Sequence, residues 1–549
     1  MTEAITIHSN DDVAVALTEI PGGTTVRVGD QKVTVKEYIQ SKHKFALKDF
    51  DKGDEIHMYN VTVGVAQEPI KVGEAITTDN LTHKSDTFSI ENRQKMSWTE
   101  PDVSRWEGVT FDGYHREDGQ VGTANYWLVF PLVFCENRNI EVLKKAFNKA
   151  LGFEKEDPYV GMVNSLVNQY ENDKLNGGVP QVEVAEKPQP TKKRVFKNID
   201  GIRFLTHQGG CGGIRQDSET LCRLLSGYIN NPNVAGATVL SLGCQNAQIN
   251  MFRDALNAVN PDLKKPVIIL DQQATGTEKD LIENAISKTF MELVKVNELG
   301  RKPAPLSKLT IGLECGGSDG FSGISANPAI GYTSDLLVAL GGKAILSEFP
   351  ELCGVEQELI NRMDKDEHAE KFIEIMRNYE QSAIDSGSGF DMNPSPGNIK
   401  DGLITDAMKS AGAAKKGGTS PVMDVLDYTE YATQPGLNLL CTPGNDVEST
   451  TGLAGSGANI ILFTTGLGTP TGNPVAPVLK LSSNSHLAEK MPDIIDIDTG
   501  QVITGDKTIE EMGEQILDHI IETASGRKPA KSMELEQYDF IPWKRGISL

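Results

Sequence analysis

Three things are scarce in this chain: long apolar runs, basic residues and cysteines. No apolar run in the 549 residues reaches the roughly 18 that a membrane-spanning helix needs, so the sequence predicts no span. Lysine and arginine number 53 against 76 aspartates and glutamates, a net charge of −23. This argues against nucleic acid and anionic membranes as partners, because both attract basic patches. Seven cysteines in so long a chain do not make a disulfide framework.

Several cofactor and targeting signatures are also missing. There is no Gly-x-x-x-x-Gly-Lys-Ser/Thr loop, and no Gly-x-Gly-x-x-Gly follows the first strand of a predicted βαβ unit, so a nucleotide cofactor is not supported. The amino-terminal residues lack the charged-then-apolar layout of a secretory signal. We therefore expect a reduced, cytoplasmic enzyme whose thiols are free to bind metal.

The pattern of the chain changes along its length. Short alternating segments between glycine turns predict a small β-rich domain over residues 1–88. Residues 89–108 are polar and aperiodic, which is typical of a linker, and Trp98 and Trp106 indicate that it lies against a surface. From residue 197 onward, apolar strands alternate with helical patterns, which predicts a parallel sheet with helices on both faces.

Three glycine-flanked cysteines follow apolar, strand-like runs: Cys211, Cys244 and Cys315. Parallel strand ends can bring such thiols together, and thiolates suit iron, zinc and iron–sulfur clusters. Their long spacing is unlike a compact Cys-x-x-Cys pair, so spacing alone is weak evidence for a shared metal, and each could instead be a small buried residue beside glycines.

Other side chains are candidates for acid–base or ligand roles. His207 lies four residues before Cys211 and could be a ligand, a general base or a loop-bonded histidine. Glu348 ends an apolar run, and Glu356 lies near a helix start, where ligation and capping are both open. His43 and Lys44 precede a predicted strand, where solvated surface side chains are common.

Turn-forming segments supply polar groups that suit a polyol or an anion. Asn393, Ser395 and Asn398 belong to one such segment, and Thr419 follows Lys416 and two glycines. Hydroxyls, amides and backbone N–H groups in glycine-rich turns bind such ligands.

A series of motifs then occurs in a fixed order over nearly the whole chain. They are His43-Lys44, Gly113-Tyr114, Asp118-Gly119, Gly122-Thr123, Asn125, His207-x-x-Gly-Cys211-Gly, Leu242-Gly243-Cys244, Cys315-Gly-Gly-Ser-Asp319, Asn327-Pro328, Ser347-Glu348, Gly354-x-Glu356, Asn393-Pro-Ser-Pro-Gly-Asn398, Lys416-Gly-Gly-Thr419 and Phe463-Thr-Thr-Gly466. In this order they resemble the altronate and galactarate dehydratases.

The resemblance implies an α/β protein with three domains. Residues 1–88 would form a β-clip (SAF-like) domain, followed by the linker at 89–108. Residues 109–303 would form a middle α/β dimerisation domain, and residues 304–549 a Rossmann-like catalytic domain with a parallel sheet flanked by helices. A homodimer and dependence on Fe²⁺ are implied too, with Mn²⁺ or an iron–sulfur cluster as alternatives.

The resemblance also implies an activity, the metal-dependent dehydration of a sugar acid to a 2-keto-3-deoxy acid. D-altronate, in hexuronate catabolism, is the first candidate substrate, and galactarate or another aldarate is the alternative. A lyase that expels sulfite, a sugar-acid sensor without turnover and a dimeric scaffold also remain open.

The expected site combines these residues. Metal ligands would be Cys211, Cys244, Cys315 and Glu356; the base would be His207, with Lys44 and His43 as alternatives; and the substrate would contact Asn125, Asn327, Asn393, Ser395, Asn398 and Thr419.

Two positions depart from the family pattern. Thr77-Thr78-Asp79-Asn80 stands where a His-x-His-Asn element is common, and Ala124 stands where an arginine is common. Both changes remove groups that could touch substrate or metal. His57 or His83 could substitute for the missing histidines.

Overall fold

The computed structural model describes residues 3–172 and 190–549. The sequence pattern at residues 159–175 predicts a helix, which is observed as Pro158–Glu171. Residues 176–196 contain several Pro, Glu and Lys residues without a core pattern, which predicts an exposed connection, and most of them lie outside the described residues. None of the helices within these two ranges combines the length and apolar content that a membrane span requires.

The amino-terminal domain is built from antiparallel pairs, as the alternating sequence predicts. Its strands are β1 Ala4–Ile5, β2 Val13–Ala16, β3 Thr25–Val28, β4 Gln31–Thr34, β5 Lys44–Ala46, β6 Glu55–Met58, β7 Val61–Ala66, β8 Ala75–Ile76 and β9 Leu81–Thr82. The sheet orders are β1-β2-β5-β8, β3-β4 and β6-β7-β9. Tyr59 and Asn60, both with positive φ, form the two-residue turn that joins β6 to β7.

The middle region contains a four-stranded parallel sheet. Its elements are β10 Thr110–His115, β11 Val121–Gly122, β12 Tyr126–Pro131, α1 Asn137–Leu151, α2 Pro158–Glu171, β13 Gly201–Phe204, α3 Arg215–Asn230, β14 Val234–Ser241, α4 Ile249–Val259, β15 Val267–Asp271, α5 Gln272–Thr275, α6 Glu278–Val296 and β16 Lys302–Pro305. The parallel order is β13-β12-β14-β15, and β10 pairs separately with β11 and β16. All six residues of β12 are buried, which explains its continuous apolar run.

The carboxy-terminal region is built on a larger parallel sheet. Its elements are β17 Thr310–Cys315, α7 Ala326–Ala339, β18 Lys343–Leu346, α8 Glu356–Arg362, α9 Asp366–Asp385, α10 Pro396–Lys400, α11 Asp406–Ala413, β19 Val422–Leu426, β20 Gly436–Leu440, α12 Asp446–Gly455, β21 Ile460–Thr465, β22 Val478–Ser482, α13 Ser485–Lys490, β23 Ile497–Asp498, α14 Gln501–Thr504, α15 Ile509–Ala524 and α16 Lys531–Glu534. Seven strands follow the order β19-β20-β18-β17-β21-β22-β23.

The predicted α/β class and its three-part architecture are confirmed. The expectation of one parallel sheet from residue 197 onward is wrong, because the alternation runs through two separate sheets. The sequence pattern does not predict strands β19 and β22, because a charged residue interrupts the apolar run of each, Asp424 in β19 and Lys480 in β22.

The linker between the first two domains lies on the carboxy-terminal region, as its tryptophans predict. The Trp106 indole donates to Asp518 at 3.0 Å, and the Trp98 indole donates to Thr419 at 3.2 Å. Side chains of the amino-terminal domain, among them Val13 and Met58, share one apolar core with strands of the larger sheet. This shared core fixes the small β domain against the carboxy-terminal region.

Candidate functional site

Neighbouring strands of the seven-stranded sheet end at one edge. β17 ends at Cys315, and Glu348 lies just beyond β18. Because the pairs β17–β18 and β17–β21 are parallel, side chains beyond their carboxyl ends gather at the same edge, which is where α/β sheets bind ligands. One buried group collects there, which we call the acid–lysine centre: Glu314, Cys315, Glu348, Glu351, Lys409 and Lys416.

The members of the acid–lysine centre form a continuous series of contacts. Lys416 Nζ lies 2.7 Å from Cys315 Sγ and 2.7 Å from Glu348 Oε2. Cys315 Sγ lies 3.2 Å from Glu351 Oε2. Lys409 Nζ lies 2.6 Å from the other oxygen of Glu351. Two lysines therefore bind a thiol and two carboxylates in a region shielded from water.

The backbone and the remaining oxygens of the centre are also unusual. Glu348 has φ +67°, a left-handed conformation that is costly for a non-glycine residue and is typical of functional positions. Glu314 Oε2 accepts hydrogen bonds from Ser347 and Ser449 at 2.8 and 2.5 Å. Among the described residues, Oε1 of Glu314 and Oε1 of Glu348 have no hydrogen-bond partner although both are buried. Such buried acceptors are the ones that a ligand can satisfy.

Burial shifts the pKa values of the ionisable groups in the centre, and neighbouring charges either add to that shift or oppose it. Burial raises the pKa of Glu314 and of Cys315 well above their usual values, and the charge of Glu348 adds to both shifts. Burial also acts to raise the pKa of Glu351, but the ammonium of Lys409 lowers it below its usual value. Burial acts to lower the pKa of Lys416, yet the negative charges beginning with Cys315 raise it well above its usual value. The centre therefore keeps a charged lysine beside its thiol.

The residues of the centre fit a divalent cation. Ligand atoms of Cys315, Glu348 and Glu351 all lie within 4.8 Å of one another. Carboxylates suit Mn²⁺, and thiolates suit iron and zinc. Two carboxylates and one thiol therefore offer such an ion three ligand atoms at this edge of the sheet.

A second group of possible ligands combines His83, Cys353 and Asp406, whose ligand atoms also lie within 4.8 Å of one another. His83 follows β9 of the amino-terminal domain, so this group spans two domains. The predicted ligand Glu356 lies near this second group, because its charge acts on the Cys353 thiol. Burial raises the pKa of Cys353, and the charges of Asp406 and Glu356 raise it further. Glu356 Oε2 accepts from the Gly354 amide at 2.7 Å, and burial raises its pKa to about 7.

A loop of the amino-terminal domain reaches the segment that follows Cys315. Lys42 Nζ lies 2.9 Å from Asp319 Oδ2 and 3.1 Å from Asp401 Oδ1. A Cβ at Gly320 or at Gly402 would lie 2.4 Å from the Lys42 carbonyl oxygen, so only glycine allows the loop to pass this closely. The predicted residues His43 and Lys44 are thus placed at a domain junction and not on an open surface.

Lys44 is fully enclosed at this junction. Its Nζ donates to the Gly402 carbonyl at 2.5 Å, and burial lowers its pKa to about 7. Burial also lowers the pKa of His43. Lys44 can therefore be a neutral amine near neutral pH.

The Lys44 pKa predicts that stability rises with pH between about 7 and 10.5. In this window the unfolded chain keeps a proton that the folded chain has released, so the free energy of unfolding increases by up to about 1.4 kcal/mol per pH unit. Denaturant midpoints measured across the window should show a shallower slope for Lys44→Met than for the unmodified chain. Lys36→Met, which changes an exposed lysine of the same domain, is the control, and equal slopes for all three proteins would contradict the prediction.

The predicted set of three thiols is divided between the two sheets. Cys315 ends β17 in the larger sheet, whereas Cys211 and Cys244 follow β13 and β14 in the smaller one. The expectation that these three cysteines share one sheet edge is wrong, because the alternating strands and helices belong to two separate sheets. Cys135 follows β12, which lies between β13 and β14, and sequence reasoning missed it.

His207 lies in the middle region beside Cys211. Its Nε2 lies 2.7 Å from the Pro131 carbonyl oxygen, and its Nδ1 accepts from the Gly209 amide at 3.1 Å. Burial lowers its pKa to about 4. Both ring nitrogens are therefore engaged by backbone groups, with the ring neutral.

Of the six predicted substrate contacts, Asn393 lies at the acid–lysine centre, where its Oδ1 accepts from Lys409 at 2.8 Å. Ser395 and Asn398 form the capping box of α10, and Asn398 Nδ2 donates to the Ser318 carbonyl at 2.7 Å. This bond holds the segment after Cys315 against α10.

The other three predicted contacts have structural partners. Asn327 Oδ1 accepts from Thr464 at 2.7 Å, close to the end of β21. Thr419 Oγ1 donates to Asp335 at 2.7 Å. Asn125 lies in the middle region, where its Oδ1 accepts from Arg116 at 2.8 Å.

Sequence reasoning missed Glu351, Lys409 and the role of Lys416. A signal was present for Lys409, which is the single charged residue in the run Ala407 to Ala414. An isolated lysine in such a run is rarely buried without a charged partner. Nothing in the sequence indicated that this partner is Glu351.

The fold and the centre define an α/β enzyme whose buried ionisable groups lie at the carboxyl edge of a parallel sheet. Three family models match the chain in succession. They are an altronate/galactarate dehydratase SAF domain at residues 2–84, the second domain of D-galactarate dehydratase/altronate hydrolase at 113–297, and the C-terminal domain of D-galactarate/altronate dehydratase at 306–548.

Curated relatives agree with the models. The chain is 33% identical to altronate dehydratase of Escherichia coli (strain K12), with 99% of both chains covered, and 34% identical to altronate dehydratase of Bacillus subtilis (strain 168), with 96% of both covered. It is 30% identical to galactarate dehydratase (L-threo-forming) of E. coli, covering 95% of this chain and 93% of that one. The chain belongs to the altronate/galactarate dehydratase family, and is therefore a hydro-lyase that dehydrates a sugar acid.

Proposed function

We propose that the chain dehydrates D-altronate to 2-keto-3-deoxy-D-gluconate at the acid–lysine centre. The observation that carries the choice of site is the buried contact of Lys416 with Cys315 and Glu348 at the edge of the larger sheet. Altronate is favoured as the substrate because the two altronate dehydratases are more similar to the chain, at 33% and 34% identity, than the galactarate enzyme at 30%.

The reaction sets definite demands on the site. Dehydration of a 2,3-dihydroxy acid removes the proton at C2 and expels the hydroxyl at C3. The C2 proton is weakly acidic, so the negative charge that builds on the carboxylate must be stabilised. A base is needed near C2 and a proton donor near the C3 oxygen. The enol that results then becomes the 2-keto-3-deoxy acid.

Lys416 and Lys409 can stabilise the negative charge that builds on the substrate carboxylate. Both are buried cations whose charges are held by fixed partners, Glu348 and Glu351 respectively. A fixed cation in a region without water stabilises developing negative charge more strongly than it would in solvent. Asn393, hydrogen-bonded to Lys409, offers its amide to the hydroxyls of the sugar acid.

A divalent ion fits beside these lysines. We propose Fe²⁺, held by Cys315, Glu348 and Glu351, whose ligand atoms lie within 4.8 Å of one another. When bound there, the ion would supply Lewis acidity toward the substrate carboxylate and the leaving hydroxyl.

Proton removal at C2 is assigned to Lys44. Its neutral amine is available near pH 7 because burial lowers its pKa to about 7, which suits a general base. Lys44 is close enough to Asp319, four residues after Cys315, for the charge of that carboxylate to act on it. His207 is less suited, since backbone groups occupy both of its nitrogens.

Turnover of a panel of sugar acids tests the proposal. With ferrous iron under reducing conditions, D-altronate should give a 2-keto-3-deoxy acid with a higher kcat/KM than galactarate or other aldonic and aldaric acids. The enzyme depleted of metal and assayed without iron is the control. A higher kcat/KM for galactarate would overturn the substrate assignment, and binding of altronate without product would favour a sensor.

A further inference from the structure

Three adjacent strands of the smaller parallel sheet are each followed by a cysteine. In the order β13-β12-β14, the cysteines beyond the carboxyl ends are Cys211, Cys135 and Cys244. Both strand pairs are parallel, so the three ends meet at one edge. This thiol cluster lies on a different sheet from the acid–lysine centre.

Backbone contacts hold the three cysteine-bearing loops together. The Phe134 amide donates to the Gly209 carbonyl at 3.1 Å, and the Ala247 amide donates to the Gly210 carbonyl at 3.1 Å. Gly210 has φ +88°, and a Cβ there would lie 1.9 Å from the Leu132 carbonyl oxygen. Only glycine permits this approach, so the Cys211 loop is fixed between the other two.

The thiols share one local environment and can be reached from solvent. The Cys211 and Cys244 thiols both lie near the Cys135 thiol. Cys135 and Cys244 are exposed, Cys211 is half-buried, and all three are free. Cys211 and His207 also line a cleft of about 780 Å³.

The distances between the three sulfur atoms indicate whether they would bind a single metal ion or a cofactor with several metal atoms. A tetrahedral zinc ion binds thiolates at about 2.3 Å, which brings its sulfur ligands within roughly 4 Å of one another. Among the described residues, the sets whose ligand atoms all lie within 4.8 Å of one another do not include these three sulfurs. A wider set of thiolates suits a cofactor with several iron atoms.

We propose that Cys135, Cys211 and Cys244 together bind an iron–sulfur cluster, in which one iron has no cysteine ligand. The cleft beside Cys211 leaves room for a small molecule at that iron. Cys315 is not a ligand of this cluster, because it lies on the larger sheet, in contact with Lys416 and Glu351.

Anaerobic reconstitution of the full chain with ferrous iron and sulfide tests the proposal. The unmodified chain should bind iron together with acid-labile sulfide, show visible sulfur-to-iron absorption, and give an EPR signal in one of its oxidation states. Cys135→Ser should lose most of the sulfide and the absorption. Cys315→Ser is the matched control and should keep both, even if it loses iron that carries no sulfide.

Three outcomes would overturn the proposal: zinc bound without sulfide, sulfide unchanged in Cys135→Ser, or sulfide lost in Cys315→Ser. Cys244→Ser provides a second variant, and circular dichroism of each variant separates loss of the cluster from loss of fold. Sulfide content does not depend on the substrate, so failure here is distinct from failure of the proposed altronate activity.

Discussion

Lys416→Met is expected to lower kcat for the dehydration by roughly 10²- to 10³-fold while the chain remains folded. Lys416 Nζ is 2.7 Å from both Cys315 Sγ and Glu348 Oε2, so the change removes the cation that joins the thiol to the carboxylate. Methionine keeps most of the apolar stem and fills its volume. Steady-state kinetics with the best substrate, together with circular dichroism, measure both parts of the prediction.

Lys343→Met is the matched control for this experiment. Lys343 begins β18, the strand whose other end leads to Glu348, so it lies at the opposite edge of the same sheet. Its Nζ donates to the Ala432 carbonyl at 2.9 Å, away from the acid–lysine centre. Its loss should leave kcat close to that of the unmodified chain. If Lys416→Met and Lys343→Met retained equal turnover, the centre would not be the site of catalysis.

The sequence predicted Cys315 and Glu348 at strand ends because local patterns report such positions. An apolar run followed by glycines identifies both the strand and its end. It does not report which strands are neighbours, and so the set of Cys211, Cys244 and Cys315 was assembled across two sheets. Strand order depends on how helices pack between the strands, which is a property of the whole fold.

The lysines of the centre show a second reason why the sequence alone does not predict the whole site. Lys409 lies on α11 and Lys416 in the turn after it, far along the chain from the glutamates that they contact. A buried ion pair depends on two distant segments meeting in space, and neither segment carries a local signal of its partner. The amino-terminal loop at Lys42 is similar, since nothing near this lysine in the sequence indicates that it pairs with Asp319 and Asp401.

Asp319→Ala is expected to lower the free energy of unfolding by about 3–5 kcal/mol. The Asp319 side chain is fully buried, and Lys42 pairs with its Oδ2 at 2.9 Å. Its Oδ1 accepts from the Ser322 amide at 3.0 Å and from the Ser483 hydroxyl at 2.8 Å. Alanine would leave these buried donors without their acceptor and the Lys42 ammonium with Asp401 alone, and that loss is far more costly than the loss of an exposed pair.

Asp401→Ala is the matched control, because it removes the more exposed of the two carboxylates that pair with Lys42. Lys42 pairs with both aspartates, but the Asp401 side chain is 27% exposed, so its loss should cost about 1 kcal/mol or less. Urea unfolding of the intact chain, followed by circular dichroism, compares the two variants directly. A large shift for Asp319→Ala alone would show that the buried carboxylate holds the segment after Cys315 to the amino-terminal domain. Equal shifts would mean that this junction depends on the charge of Lys42 and not on the buried acceptor.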